Sequence, residues 1–147
     1  AGTITANVTL KTVGTDRFIT ATKTIDSGVF GTQSNIVVTA AAAASCTLSL
    51  FPSPTITAVQ GSFTMRLIDA FSNFTLGPVN MTFASSDGSA TVPGLTAVDD
   101  GEQLNATLVT TSSTQSITAT KDGGGFSCSQ TGIIVNSATA VYLGMRP

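Results

Sequence analysis

The chain has 147 residues, of which 41% are hydrophobic and only 10% charged, with no histidine and a formal net charge of -2. Neither sign of charge forms a run, which argues against an electrostatic nucleic-acid partner. Val, Ile, Leu and Phe recur along the whole chain, which argues against disorder. The absence of histidine removes the commonest general base, the Ser–His nucleophile pair and most zinc sites together.

Thr and Ser replace the missing charge, keeping the surface polar through hydroxyls, and Thr, being β-branched, favours strands. No window approaches the roughly 18 uninterrupted apolar residues a membrane-spanning helix needs. A soluble chain with no membrane insertion is expected, its export signal removed or lying outside it.

Taken from the first residues, Ile4, Ala6, Val8 and Leu10 alternate with polar positions as on one face of a strand. The run NVTLKTVGTDRFITATK (7–23) then returns as NATLVTTSSTQSITATK (105–121). Asn7 and Asn105, Leu10 and Leu108, Ile19 and Ile117, Ala21 and Ala119, and Lys23 and Lys121 each differ by 98. After one deletion the match resumes, with GTQSNIVVT (31–39) against CSQTGIIVN (128–136), so that Gln33 meets Gln130. A period this long belongs to a whole domain rather than to a solenoid layer. Residues 1–39 therefore read as the back half of one repeat. Its apolar face must be covered by residues outside the chain or by strand addition from another subunit.

Residues 40–44 are five alanines, too few for a helix to hold itself together in water, and read as a linker. Residues 45–137 read as one complete repeat. Within it Phe63, Met65 and Leu67 alternate to one face, as do Val79, Met81 and Phe83, then Leu104, Ala106 and Leu108, then Ile117 and Ala119. Turn-forming clusters separate them: DAFSN at Asp69, SSDGS at Ser85, DDGE at Asp99 and KDGGG at Lys121. Short strands so spaced, without helical periodicity, predict an all-β antiparallel sandwich of about seven strands. Residues 138–147 read as a linker entering a candidate first strand of a next repeat, LGMRP (143–147) standing where LSLFP (48–52) stood before.

The runs FTMRLIDAFSN, PVNMTFASSDGSATVPG and DDGEQLNATLVTTSSTQSITATK resemble the bacterial Ig-like repeats of invasin and intimin type. In those a strand ends in an Asp-led turn, a VTF-SSD strand follows, and the repeat closes on a T-x-T-A-T strand. The resemblance covers 45–137 and, half-complete, 1–39. It implies an Ig-like sandwich in tandem, serving as a stalk or adhesive module of a surface or secreted protein and rarely catalytic.

Cys46 and Cys128 are the only cysteines, and the first copy carries Gly31 where the second carries Cys128. Both thiols thus occur in one repeat. Cys46 begins the first strand and Cys128 precedes the last, positions that neighbour each other in this type of sandwich, so a disulfide is expected. The alternative is two buried free thiols in a reducing compartment. Four sequons, Asn7-Val-Thr, Asn73-Phe-Thr, Asn80-Met-Thr and Asn105-Ala-Thr, fit the N-glycosylation pattern. Asn7, Asn80 and Asn105 fall between inward residues and Asn73 in a turn, so a glycan on any of them should spare the core. The plain alternative is that Asn and Thr are good surface residues.

Asp99, Asp100 and Glu102 fall in one turn rather than facing each other across a cleft, as a hydrolytic pair must. They read as a solvated turn, with a loose Ca²⁺ site at Asp99 or Asp100 as the weaker alternative. Asp69 reads as a turn former bonding its own backbone. No cofactor or catalytic residue is assigned. The leading functional reading is a structural repeat of an extracellular stalk, surface layer or filament that packs against its own kind. The second is an adhesin or carbohydrate-binding module, which would use clustered exposed aromatics at Phe51, Phe71 and Phe74.

Overall fold

The computed structural model describes residues 3–139, and every regular element in them is a β-strand. None of these residues forms a helix long and apolar enough to cross a membrane. The candidate strand at 143–147 lies outside the described residues.

Among the described residues ten strands form three sheets. β1 (Gly14–Thr22) and β2 (Phe30–Val38) make an antiparallel hairpin of their own. β3 (Ala43–Ser49), β5 (Gln60–Asp69) and β8 (Gln103–Thr107) make a second, antiparallel sheet in the order β3–β5–β8. The third sheet contains β4 (Thr55–Ile56), β10 (Ser127–Asn136), β9 (Ser112–Lys121), β6 (Val79–Ser85) and β7 (Thr96–Val98), in that order. Only β4 and β10 run parallel. Leu48, Phe63, Met65 and Ala106 of the three-stranded sheet meet Met81, Val98, Ile117, Ala119, Ile133 and Val135 of the five-stranded one in a single core. Alternation along each strand dictates this, because one face is apolar and must be covered.

The all-β expectation is met, with eight strands in the two facing sheets rather than about seven. β4 and β7 are two and three residues long, too short to show alternation. Phe51 joins the core from a loop, and buried Gly61 makes room for it: a Cβ there would sit 2.8 Å from the Phe51 ring. β3 begins at Ala43, inside the expected linker, where Ala43 pairs with Asp69.

One expectation is corrected. The alternation from Ile4 to Leu10 forms no strand: Ile4 is 94% and Val8 56% exposed. At an offset of 98, residues 5–9 stand where β8 (103–107) stands, and β8 exists by pairing with β5. Among the described residues no strand plays the part of β5 for residues 5–9. A pleated pattern specifies a face but does not supply the hydrogen-bonding neighbour.

The two closing hairpins coincide in register. β1 pairs with β2 as Gly14↔Val38, Arg17↔Ile36, Ile19↔Gln33, Thr20↔Thr32, Ala21↔Gly31 and Thr22↔Phe30. Adding 98 to the first member and 97 to the second gives Ser112↔Val135, Gln115↔Ile133, Ile117↔Gln130, Thr118↔Ser129, Ala119↔Cys128 and Thr120↔Ser127, the observed pairs of β9 with β10. Each ladder slips at the same two places, and at one of them Asn35 and Gly132 (35 + 97) both take positive φ, 58° and 69°. Gly and Asn are the residues that tolerate this left-handed conformation. Even a side-chain bond is shared, since Arg17 Nε donates to the Thr12 carbonyl and Gln115 Nε2 to the Thr110 carbonyl, five residues back in each case.

Candidate functional site

Cys46 of β3 and Cys128 of β10 form a disulfide that joins the two facing sheets. Beside it, Gln130 of β10 uses its side-chain amide as a strand would use its backbone. Gln130 Oε1 accepts from the Phe51 N–H at 2.9 Å and Nε2 donates to the Phe51 carbonyl at 2.8 Å. The amide fits because it carries one acceptor and one donor at about peptide spacing. Gln33, the matching residue of β2, is exposed.

The densest polar cluster is the turn after β5. Asp69 is buried at 4% exposure. Its Oδ1 accepts from the N–H groups of Phe71 (2.8 Å) and Asn73 (2.9 Å), while Oδ2 accepts from Ala41 N–H (3.0 Å) and Asn73 Nδ2 (2.9 Å). Burial pushes this carboxyl's pKa up, but the donors from Asn73, Ala41 and Phe71 outweigh it and hold the value down at about 2. Asp69 thus forms the expected turn and, beyond that, grips the segment entering β3.

Asn73 extends the same cluster to the other side of the hairpin. Its Nδ2 donates to the Lys11 carbonyl at 2.7 Å and its Oδ1 accepts from the Val13 N–H at 3.1 Å. The Lys11 ammonium lies 5.3 Å from the centre of the Phe71 ring. Lys11 and Val13 lead into β1 and Ala41 leads out of β2, so one turn holds both roots of the β1–β2 hairpin. Asn73 falls at the turn, as expected, but the residue is half-buried and its amide nitrogen engaged, so a glycan there would displace those bonds. Asn80 and Asn105 are exposed, as their positions between inward residues predicted; Asn7 is exposed too, but Ala6 and Val8 beside it are exposed as well, so no inward face sets it there.

Asp87 makes a matching clamp at the other end of the sandwich, and sequence reasoning missed its importance. Buried at 4% exposure, it accepts from Val109 N–H and Thr110 N–H through Oδ2, and from Ser89 N–H and Thr110 Oγ1 through Oδ1. Burial again raises its pKa and these donors bring it down to about 2. The Asp–Gly in SSDGS signals a turn, but only the fold brings Thr110 to it.

Asp100 is not a free carboxylate. Its Oδ1 accepts from Leu67 N–H at 2.8 Å and lies 3.3 Å from Arg66 Nε. Glu102 turns back to accept from Asp99 N–H. No group of three His, Cys, Asp or Glu side chains suited to a metal exists among the described residues, and no pocket opens among them. The aromatic cluster expected of a sugar platform does not form from Phe51, Phe71 and Phe74, since Phe51 is buried in the core. The Arg66 guanidinium lies over Phe74, 3.7 Å from its ring centre. What the arrangement offers is anchoring of the chain's own backbone, with N–H and C=O groups held by a buried carboxylate and half-buried carboxamides.

No family profile, curated protein or solved structure matches the chain.

Proposed function

We propose that the chain is a section of a tandem array of Ig-like β-sandwich units, a structural element of an extracellular stalk, surface layer or filament. In this reading β1–β2 is the closing hairpin of a preceding unit. The observation that carries it is the shared register of the two hairpins, down to the slip and its left-handed residue. Such agreement follows naturally when two segments encode the same element in the same fold. The inter-sheet disulfide supports an oxidising compartment. The bare edge of β1, where β9 has β6, and the unpaired segment 5–9 call for strands supplied by neighbouring polypeptide. Exposed Asn7, Asn80 and Asn105 are the positions where N-glycans would attach.

Restoring the missing half tests the reading. Residue 1 corresponds to 99 (1 + 98), so a copy of residues 40–98 is fused directly ahead of residue 1. Its Cys46→Ala change prevents a stray thiol, because the hairpin carries Gly31 at the partner position. The expected result is a second cooperative unfolding transition and slow amide exchange at Ile19 and Ile36. An added segment that stays unfolded, with those amides exchanging as before, overturns the proposal.

A further inference from the structure

The grip of the Asp69–Asn73 turn on the hairpin roots points to an interaction surface on the complete unit. At the offset of 98, Lys11 corresponds to Val109 and Val13 to Thr111. Lys11 gives its carbonyl to Asn73 Nδ2, and Val13 gives its N–H to Asn73 Oδ1. Among the described residues the Val109 carbonyl and the Thr111 N–H have no hydrogen-bond partner, and both residues are exposed. Asp87 fixes the backbone between them through Val109 N–H and Thr110 N–H. A carbonyl and an N–H two residues apart, presented on a segment already immobilised, match the donor and acceptor of one carboxamide.

We infer that Val109–Thr111 is the docking site for the Asp-x-x-x-Asn turn of a following sandwich unit. The Asn of that turn would bond the Val109 carbonyl and the Thr111 N–H, as Asn73 bonds Lys11 and Val13. The partner is a further copy of this fold on the same polypeptide. Its Asp would reach the linker, as Asp69 reaches Ala41. The Ala138 N–H, the counterpart of Ala41 (41 + 97), meanwhile donates to Thr57 Oγ1 at 3.2 Å on the exposed side, a bond the linker would exchange. Asn73 then acts as a latch that sets the angle between successive units rather than as a glycan acceptor. Val109, 42% exposed, supplies no ammonium where Lys11 stands over Phe71, so carboxamide recognition of the backbone is the part that recurs.

This inference rests on the array reading, and one experiment separates the two. Thr39 corresponds to Asn136, so residues 1–136 are followed directly by a second copy of 40–136, and amide exchange is followed by NMR. Thr111 should exchange about tenfold more slowly than in the original chain and recover its rate when Asn73→Ala is made in the added copy alone. In the original chain Asn73→Ala should accelerate exchange at Val13 by a similar factor. If the added copy folds cooperatively yet leaves Thr111 unchanged, the docking site is wrong and the array reading stands. If the added copy does not fold, both fall. An unchanged Val13 in the Asn73→Ala chain also overturns the latch.

Discussion

The hairpins β1–β2 and β9–β10 share a ladder and differ in what surrounds them. Ile117, Ala119, Ile133 and Val135 are fully buried, while their counterparts Ile19, Ile36 and Val38 are half-buried and Ala21 is exposed. Strand pairing, its slip and the Thr-carbonyl bond are thus encoded within some 25 residues of local sequence. Burial comes only from the opposing sheet. The comparison separates two contributions usually measured together, local hydrogen-bonded form and non-local apolar cover.

Removing the covalent tie should have the largest effect. Cys46→Ala with Cys128→Ala is expected to destabilise the sandwich by about 4 kcal/mol, the chain-entropy value for a loop of this size. Urea titration would show it, and β1–β2, which has no such tie, should feel the change only through the Asp69–Asn73 turn that holds its roots. Next, Ile117→Ala should cost about 3 kcal/mol by opening a core cavity, whereas Ile19→Ala, at the same ladder position, should cost under about 1 kcal/mol. Equal costs would mean that the first hairpin is covered in solution.

Acid comes third and touches both regions, because Asp69 holds the hairpin roots and Asp87 the sandwich. Both carboxyls have folded pKa values near 2, below the ordinary Asp value of about 3.9. Their stabilising contribution is complete above about pH 4 and drains away as pH falls towards 2. Asp87→Asn should lessen the pH dependence of the urea midpoint over that window, and an unaltered profile would deny the clamp. Gln130→Ala, which leaves the N–H and C=O of Phe51 without the side-chain amide, should cost about 1–2 kcal/mol. Gln33→Ala should change stability by less than about 0.5 kcal/mol. Smallest of all, Gly132→Asn should be tolerated within about 0.5 kcal/mol, since Asn35 already holds that backbone and a Cβ at Gly132 meets nothing within 4 Å. Gly132→Val should be clearly worse, and thermal melts of the two variants would rank them.

The long strands were legible because alternation reports a buried face directly, as at Phe63, Met65 and Leu67. The disulfide was legible because both cysteines fall in one repeat, at strands that neighbour each other in the type of sandwich it resembles; the alternative of two free thiols was closed only by the fold. The sequence misled at Ile4–Leu10, where the alternation is genuine but the neighbour that would make it a strand is not present. Asn73 misled for a different reason. A sequon in a turn looks like a solvent-facing amide, and only three-dimensional proximity across 62 residues reveals Lys11 as its acceptor. Asp87 and Gln130 were equally hidden, because Val109, Thr110 and Phe51, whose backbone they hold, lie 22 or more residues away.

The Cys46–Cys128 bond has a mechanical consequence. It fastens the entry strand of the sandwich to its exit strand across 82 positions. Tension applied at the two termini would pass through sulfur and bypass the peptide between, so that about 280 Å of contour length stays locked however far the noncovalent sheets are sheared. A rod of such units would yield at its joints before its bodies.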